Sequence, residues 1–148
     1  MDVSGTIDAI LAQKPSEVHT ISPDASVLEA VKLMADKNVG ALVVTENGRV
    51  IGLLSERDYT RKIVLHGKRS RETPVREIMS TNLTTIQPHE PVQNCLRMMT
   101  ERRIRHLPVL KDGRVCAVIS IGDLVKHVIS CQSAALEHLE SYITGGYQ

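Results

Sequence analysis

Residues 18–64 read VHTISPDASVLEAVKLMADKNVGALVVTENGRVIGLLSERDYTRKIV, and residues 83–129 read LTTIQPHEPVQNCLRMMTERRIRHLPVLKDGRVCAVISIGDLVKHVI. The second stretch lies over the first at a constant offset of 65 residues without a gap, and 12 of the 47 paired positions are identical. Pro23/Pro88, Gly48/Gly113, Ser55/Ser120 and Asp58/Asp123 are among the identities. Solenoid repeats recur every 20 to 50 residues or so and in many copies. A longer period with two copies marks a duplicated supersecondary unit, and two copies imply two similar sites.

Each copy has the same internal order. In the first, Ser22-Pro23-Asp24 punctuates the chain, after which Val27, Ala30, Val31, Met34 and Ala35 recur at helical spacing until Asn38. Two apolar runs follow, 41–45 and 50–54, separated by a turn whose Asn47-Gly48 pair favours a tight hairpin. A second helix is expected from about Glu56 to Leu65. The second copy repeats the scheme: helix 92–103, strand 107–110, a turn at Asp112-Gly113, strand 115–119 and helix 122–129. Short strands at Thr20-Ile21 and Thr85-Ile86 precede the first helix of each copy, giving β-α-β-β-α units. Pro74 to Met79 reads as a short lead-in helix. The tail from Gln132 to Thr144 places Leu136, Leu139, Tyr142 and Ile143 on one face, so a further helix is expected to close the chain. The organisation is therefore 1–66 for the first repeat with its lead-in, 67–130 for the linker, lead-in helix and second repeat, and 131–148 for a helical tail.

Composition bounds the function. At 148 residues and 42% hydrophobic, the chain is long enough for one domain with a real core. Its formal charge is +1 and its aromatic content 2%, which argues against a global electrostatic or stacking grip on nucleic acid. Cys95, Cys116 and Cys131 are odd in number and lie in apolar stretches, as reduced thiols of a cytoplasmic protein do. Met1 to Leu11 contains Asp2 and Asp8 and lacks the pattern of a signal peptide, and no stretch reaches membrane-spanning length. Lys68-Arg69-Ser70-Arg71 reads as a solvated linker.

The tandem units resemble a known family. A lead-in such as Val75-Arg76-Glu77-Ile78-Met79-Ser80, the strand pair carrying Arg105-His106-Leu107-Pro108-Val109 and Gly113-Arg114-Val115, and the ending Gly52-Leu53-Leu54-Ser55-Glu56-Arg57-Asp58 resemble the cystathionine-beta-synthase (CBS) domain pair. The resemblance covers nearly the whole chain. It implies an α+β fold in which two repeats pack through their sheets about a pseudo-two-fold axis and leave two clefts, with a C-terminal helix added. It also implies a homodimer, and a noncatalytic regulatory module that binds an adenosyl ligand such as AMP, ADP, ATP, NAD or S-adenosylmethionine and acts on a client protein.

The residues can be matched to that ligand chemistry. An ionised Asp can accept both hydroxyls of a ribose, and a Ser hydroxyl with the free N–H groups of a helix start can meet a phosphate. The resemblance makes Asp58 and Asp123 ribose readers, with Ser55 and Ser120 beside them. Ser-x-x-Asp also approximates a helix-capping box, and both roles stay open. Arg105 and His106 precede a strand, where the family places phosphate-contacting bases; the first copy has Gly40 and Ala41 there, so unequal clefts are expected. The Asp123 cleft is expected to hold a phosphorylated nucleotide through Arg105 and His106, with Val39 and Gly40 against the adenine. The Asp58 cleft is expected to draw on Ser80, Asn82 and Thr84 and to use Arg57 or Arg61 for phosphate. Arg102, Arg103 and Arg105 also suit a solvated helix end, where cations complement the helix dipole.

Enzyme readings find less support. Cys95 and Cys116 match core positions of the first copy, the histidines lack zinc-site spacing, and no Gly-rich phosphate loop follows a strand. No catalytic residue, metal or catalytic cofactor is assigned. The alternatives to a nucleotide-responsive regulator are a ligand-free dimeric interaction protein, assembled through the Leu136/Leu139/Ile143 tail, and a nucleic-acid-binding module.

Overall fold

A computed structural model of the chain describes residues 5–14 and 17–143. In order, the elements are α1 (Ile7–Leu11), β1 (Thr20–Ile21), α2 (Val27–Lys37), β2 (Ala41–Glu46), β3 (Arg49–Ser55), α3 (Glu56–Tyr59), a 3-10 turn at Val75–Glu77, α4 (Val92–Arg102), β4 (His106–Lys111), β5 (Arg114–Ser120) and α5 (Ile121–Ile143). The fold is α+β, with a three-stranded sheet ordered β1-β2-β3 and a two-stranded sheet of β4 and β5. Asn47-Gly48 and Asp112-Gly113 all have positive φ, the conformation a two-residue hairpin turn demands, so the two hairpins form in the same register.

Each repeat has its own apolar core. Val27, Ala30 and Met34 of α2 pack with Leu42, Val44 and Leu54; Val92, Cys95 and Met99 of α4 pack with Leu107, Val109 and Ile119. Position for position, the two sets correspond at the offset of 65. A third cluster joins the repeats, where Ala41, Val43 and Leu53 meet Val115 and Val118 across the two sheets.

The structure corrects the expected elements at four places. Thr85-Ile86 is not a strand but a single bridge from Ile86 to Val109. Proline explains the loss: Val43 N–H donates to His19 in the first copy, and its counterpart Pro108 has no N–H to donate. The helix expected at 122–129 and the tail helix are one continuous 23-residue element. In the first copy Gly67, at φ 64°, ends the corresponding helix, whereas the second copy carries Gln132 at that position. Thr144 and the side chain of Tyr142 lie outside the described residues, as does Asp2. The helix after β3 is α-helical only to Tyr59 and continues as a π-helical turn over Thr60–Val64.

The fourth correction is α1, a helix the sequence reading did not expect. Ile7 and Ile10 are buried in the core of the second repeat, while Val75 and Ile78 are buried in the core of the first. The backbone clips match. Ile7 and Asp8 N–H donate to Glu90 and Pro88, as Val75 and Arg76 N–H donate to Ala25 and Pro23. Each lead-in therefore completes the other repeat, at an offset of 68 instead of 65.

Candidate functional site

Two hollows lie where the repeats meet. Each is built from the helix start that follows one repeat's hairpin and from the segments flanking the first helix of the other repeat. Ser55 and Ser120 end β3 and β5 in extended conformation, and the chain then turns into helix, so Asp58 and Asp123 fold back over the turn. Ser55 Oγ accepts the Asp58 N–H at 3.2 Å, while Asp58 Oδ2 accepts the Ser55 N–H at 3.0 Å and its hydroxyl at 3.1 Å. Ser120 and Asp123 make the same reciprocal bonds, at 3.1 and 2.8 Å. Both carboxylates cap a helix and both line a hollow; the two roles coexist.

The Asp58 hollow has a volume of about 350 Å³. Ser55, Arg57, Arg61, Ser80, Asn82 and Thr84, the residues expected around Asp58, all line it. Ser80 Oγ reaches Asp58 Oδ1 at 3.3 Å, and Lys62 Nζ stands 3.1 Å from the same oxygen. Leu53, Leu83, Ile104 and Pro108 supply apolar wall. Arg57, Arg61, Lys62, Arg103 and Arg105 oppose Glu56 and Asp58, so five cations less two carboxylates leave a net +3. Desolvation and then the fields of Arg61, Arg105 and Arg103 push the Arg57 guanidinium below its ordinary pKa. The Arg57 side chain donates to the carbonyl of Arg103 at 2.6 Å. Arg103 itself sits in the left-handed region at φ 54°, a conformation that costs a non-glycine residue about 1 kcal/mol.

The Asp123 hollow, about 450 Å³, is lined by Val39, Gly40, His106, Ser120 and Asp123 as expected, but not by Arg105. Arg105 faces the Asp58 hollow instead. The two-fold relation is the reason. Val39 and Gly40 correspond to Ile104 and Arg105, so if the first pair serves one hollow the second pair must serve the other. His106 and Gly40 line both, and Gly40 makes this geometry practicable, since a Cβ there would lie 3.1 Å from the imidazole Nε2. Burial, then the nearby Lys14, push the His106 pKa below its ordinary value, which keeps the ring neutral at pH 7.

Lys14 is the residue that sequence reasoning missed most completely. Its Nζ lies 2.6 Å from Asp123 Oδ2 and donates to the Val118 carbonyl at 2.7 Å. Burial opposes ionisation of Asp123, yet Lys14 and the Ser120 bonds outweigh it and hold the carboxyl below its ordinary range. Glu17 and His19 also line this hollow. They were legible, because the offset of 65 places them on Asn82 and Thr84. Lys14 and Lys37 against Glu17 and Asp123 give a net charge of zero. Arg102 lines neither hollow, although its side chain donates to Thr84 Oγ1 at 2.7 Å.

Comparison with known proteins fits this architecture. The CBS domain family model matches twice, over residues 14–65 and 75–130. The mitochondrial CBS domain-containing protein CBSX3 of Arabidopsis thaliana is 43% identical over 129 residues, which span 84% of this chain and 63% of that protein. A solved protein with CBS domains from Burkholderia ambifaria superposes with a TM-score of 0.83 at 43% identity, covering 85% of this chain and 95% of that one. A more distant CBS domain pair, 22% identical with a TM-score of 0.72 over 83% of this chain and 94% of its own, was solved in complex with 5′-methylthioadenosine and S-adenosyl-L-methionine. Among the described residues no helix is long and apolar enough to cross a membrane.

Proposed function

The chain belongs to the CBS domain family, and on that premise we propose that it is a noncatalytic, energy- or redox-sensing module that binds an adenosyl nucleotide and regulates a client protein in trans, as a cytoplasmic homodimer. One observation carries the reading: the Asp58 hollow combines a carboxylate fixed in place at the helix start, an apolar wall and an excess of three positive charges. A nucleotide needs those three things, for its ribose diol, its base and its phosphates. Arg57, Arg61 and Arg105 would meet the phosphates, Asp58 the ribose, and Ser80, Asn82 and Thr84 the remaining polar edge. Reduced Cys95, Cys116 and Cys131 suit the cytoplasm. A ligand regulates only through unequal affinity for two arrangements of the module, so the signal is the difference in binding and not its total.

Calorimetric titration with AMP, ADP, ATP, NAD and S-adenosylmethionine tests the proposal. The preferred nucleotide is expected to lose about ten- to hundredfold in affinity on Asp58→Ala and on Arg105→Ala, with the ligand-free thermal midpoint unchanged for Arg105→Ala and lowered for Asp58→Ala, which also removes a helix cap. Absence of binding or thermal stabilisation by all five at about millimolar concentration refutes the reading. Unchanged affinity in both variants refutes the site.

A further inference from the structure

A separate hollow of about 530 Å³, lined by Leu28, Lys32, Arg69, Ser70, Arg71 and Glu72, shares no residue with the Asp58 and Asp123 hollows. Leu28 and Lys32 stand one turn apart on the same face of α2, and the linker between the repeats folds over that face. Backbone bonds pin it there. The Ser70 and Thr73 carbonyls accept the Leu28 and Val27 N–H at 3.0 and 2.9 Å, and the buried Thr73 hydroxyl donates to the Arg69 carbonyl at 2.7 Å. These bonds consume amides of the helix start, so the hollow offers a ligand its side chains.

Three cations gather round half-buried Leu28, and little of their charge is neutralised within the chain. Arg69 meets Glu72 at 3.4 Å, with the two side chains 79% and 68% exposed. Lys32 and Arg71 have no side-chain hydrogen bond or ion pair among the described residues. Three cations less one carboxylate leave this one hollow a net +2, in a chain whose overall charge is +1. The second repeat carries Gln93 at the position of Leu28, so the apolar floor is not repeated.

We propose that this hollow docks an acidic segment of the client protein, carboxylates on Lys32 and Arg71 and an apolar side chain on Leu28; that the partner is a client rests on the regulatory reading above. A guanidinium forks across a carboxylate, and Glu72 already makes a carboxylate contact with Arg69. The lining selects a protein segment. A polybasic membrane contact takes about four to eight clustered cations, more than the three here. Nonspecific nucleic-acid grooves set aromatic rings between their cations, and no ring lines this hollow. The linker leaves the helical turn that carries Arg61 and Lys62 into the Asp58 hollow, so client and nucleotide would hold two ends of one segment.

Fluorescence anisotropy of a labelled peptide, four repeats of Asp-Leu-Glu, titrated with the full chain in the absence of nucleotide, tests the surface. The wild type is expected to bind at about 10–100 μM in about 50 mM salt. Lys32→Glu/Arg71→Glu breaks no ion pair of the chain and is expected to weaken the peptide at least about tenfold, with nucleotide affinity by calorimetry retained. Leu28→Gln is expected to weaken it about threefold, and Arg105→Ala to leave it unchanged. No binding up to about 1 mM, or binding indifferent to Lys32→Glu/Arg71→Glu, overturns the proposal. Loss on Arg105→Ala also overturns it, since the peptide would then sit in the Asp58 hollow. Tighter binding of oligo-dT or of phosphatidylserine vesicles than of the peptide, lost in Lys32→Glu/Arg71→Glu, overturns the choice of partner. Nucleotide is absent from the peptide titration, so its failure and a failure to bind nucleotide are read separately.

Discussion

The Asp58 and Asp123 hollows share one plan at matching positions, each with a lysine beside its carboxylate, yet one carries a net +3 and the other is neutral. Four substitutions account for most of the difference: Arg57 for Gly122, Lys62 for His127, Arg103 for Asn38 and Arg105 for Gly40. The lesson is a division of labour between backbone and side chain. Repeated hydrogen bonds decide where a residue stands, and a few unrepeated residues decide which charge the hollow will accept.

That comparison can be broken first at the cores, where the two repeats are expected to behave alike. Leu54 and Ile119 correspond at the offset of 65 and are both fully buried. Leu54→Ala and Ile119→Ala are each expected to cost about 2–5 kcal/mol by denaturant unfolding, in one cooperative transition. Two separate transitions would show repeats that are independent, contrary to their crossed lead-ins.

The lysines should then separate the hollows. The Lys14–Asp123 pair is less than one-third exposed on either side chain, whereas Lys62 beside Asp58 is 43% exposed. Lys14→Ala is expected to cost about 1 kcal/mol at pH 7 and Lys62→Ala a few tenths. Asp123 has a depressed pKa in the folded state, so its contribution is full above the ordinary value of 3.8 and is lost as pH falls through the folded value. The wild-type advantage over Lys14→Ala should therefore vanish once the pH has fallen below the folded-state pKa of Asp123. An advantage unchanged from neutral pH to that point would deny the Lys14–Asp123 pair its role.

The smallest effect sharpens the wall between the hollows. His106 has a lowered pKa in the folded state, so its neutral ring favours folding above the ordinary value of 6.5, and that stability is lost as pH falls from there toward the folded value. His106→Asn should flatten this part of the curve. Thermal midpoints measured from pH 7.5 to pH 5, with an equal slope in both proteins, would place the ring in solvent and not between the hollows.

Much of this was legible. The identical positions and the two turn pairs gave the hairpins, the helical spacing gave α2 and α4, and Ser-x-x-Asp gave both helix starts. What escaped reading has definable causes. Assigning Arg105 to Asp123 treated sequence neighbours as sharing that hollow, although of the two only His106 reaches it and the offset itself dictated the partner. α1 escaped because its match to Val75–Glu77 needs an offset of 68, so a constant register hides it. Lys14 escaped for a related reason: its partner, Asp123, is 109 residues away and no motif links them.

The exchange of lead-ins also bears on how such a chain holds together. Severed near residue 66, it would yield two pieces, each keeping the wedge that fits the other's seat and leaving its own seat open to water. Reassembly would then depend on dilution. Within one polypeptide the wedge is held near its seat at an effective concentration on the order of millimolar, whatever the protein's abundance. Covalent continuity thus makes closure of both cores a property of the single molecule.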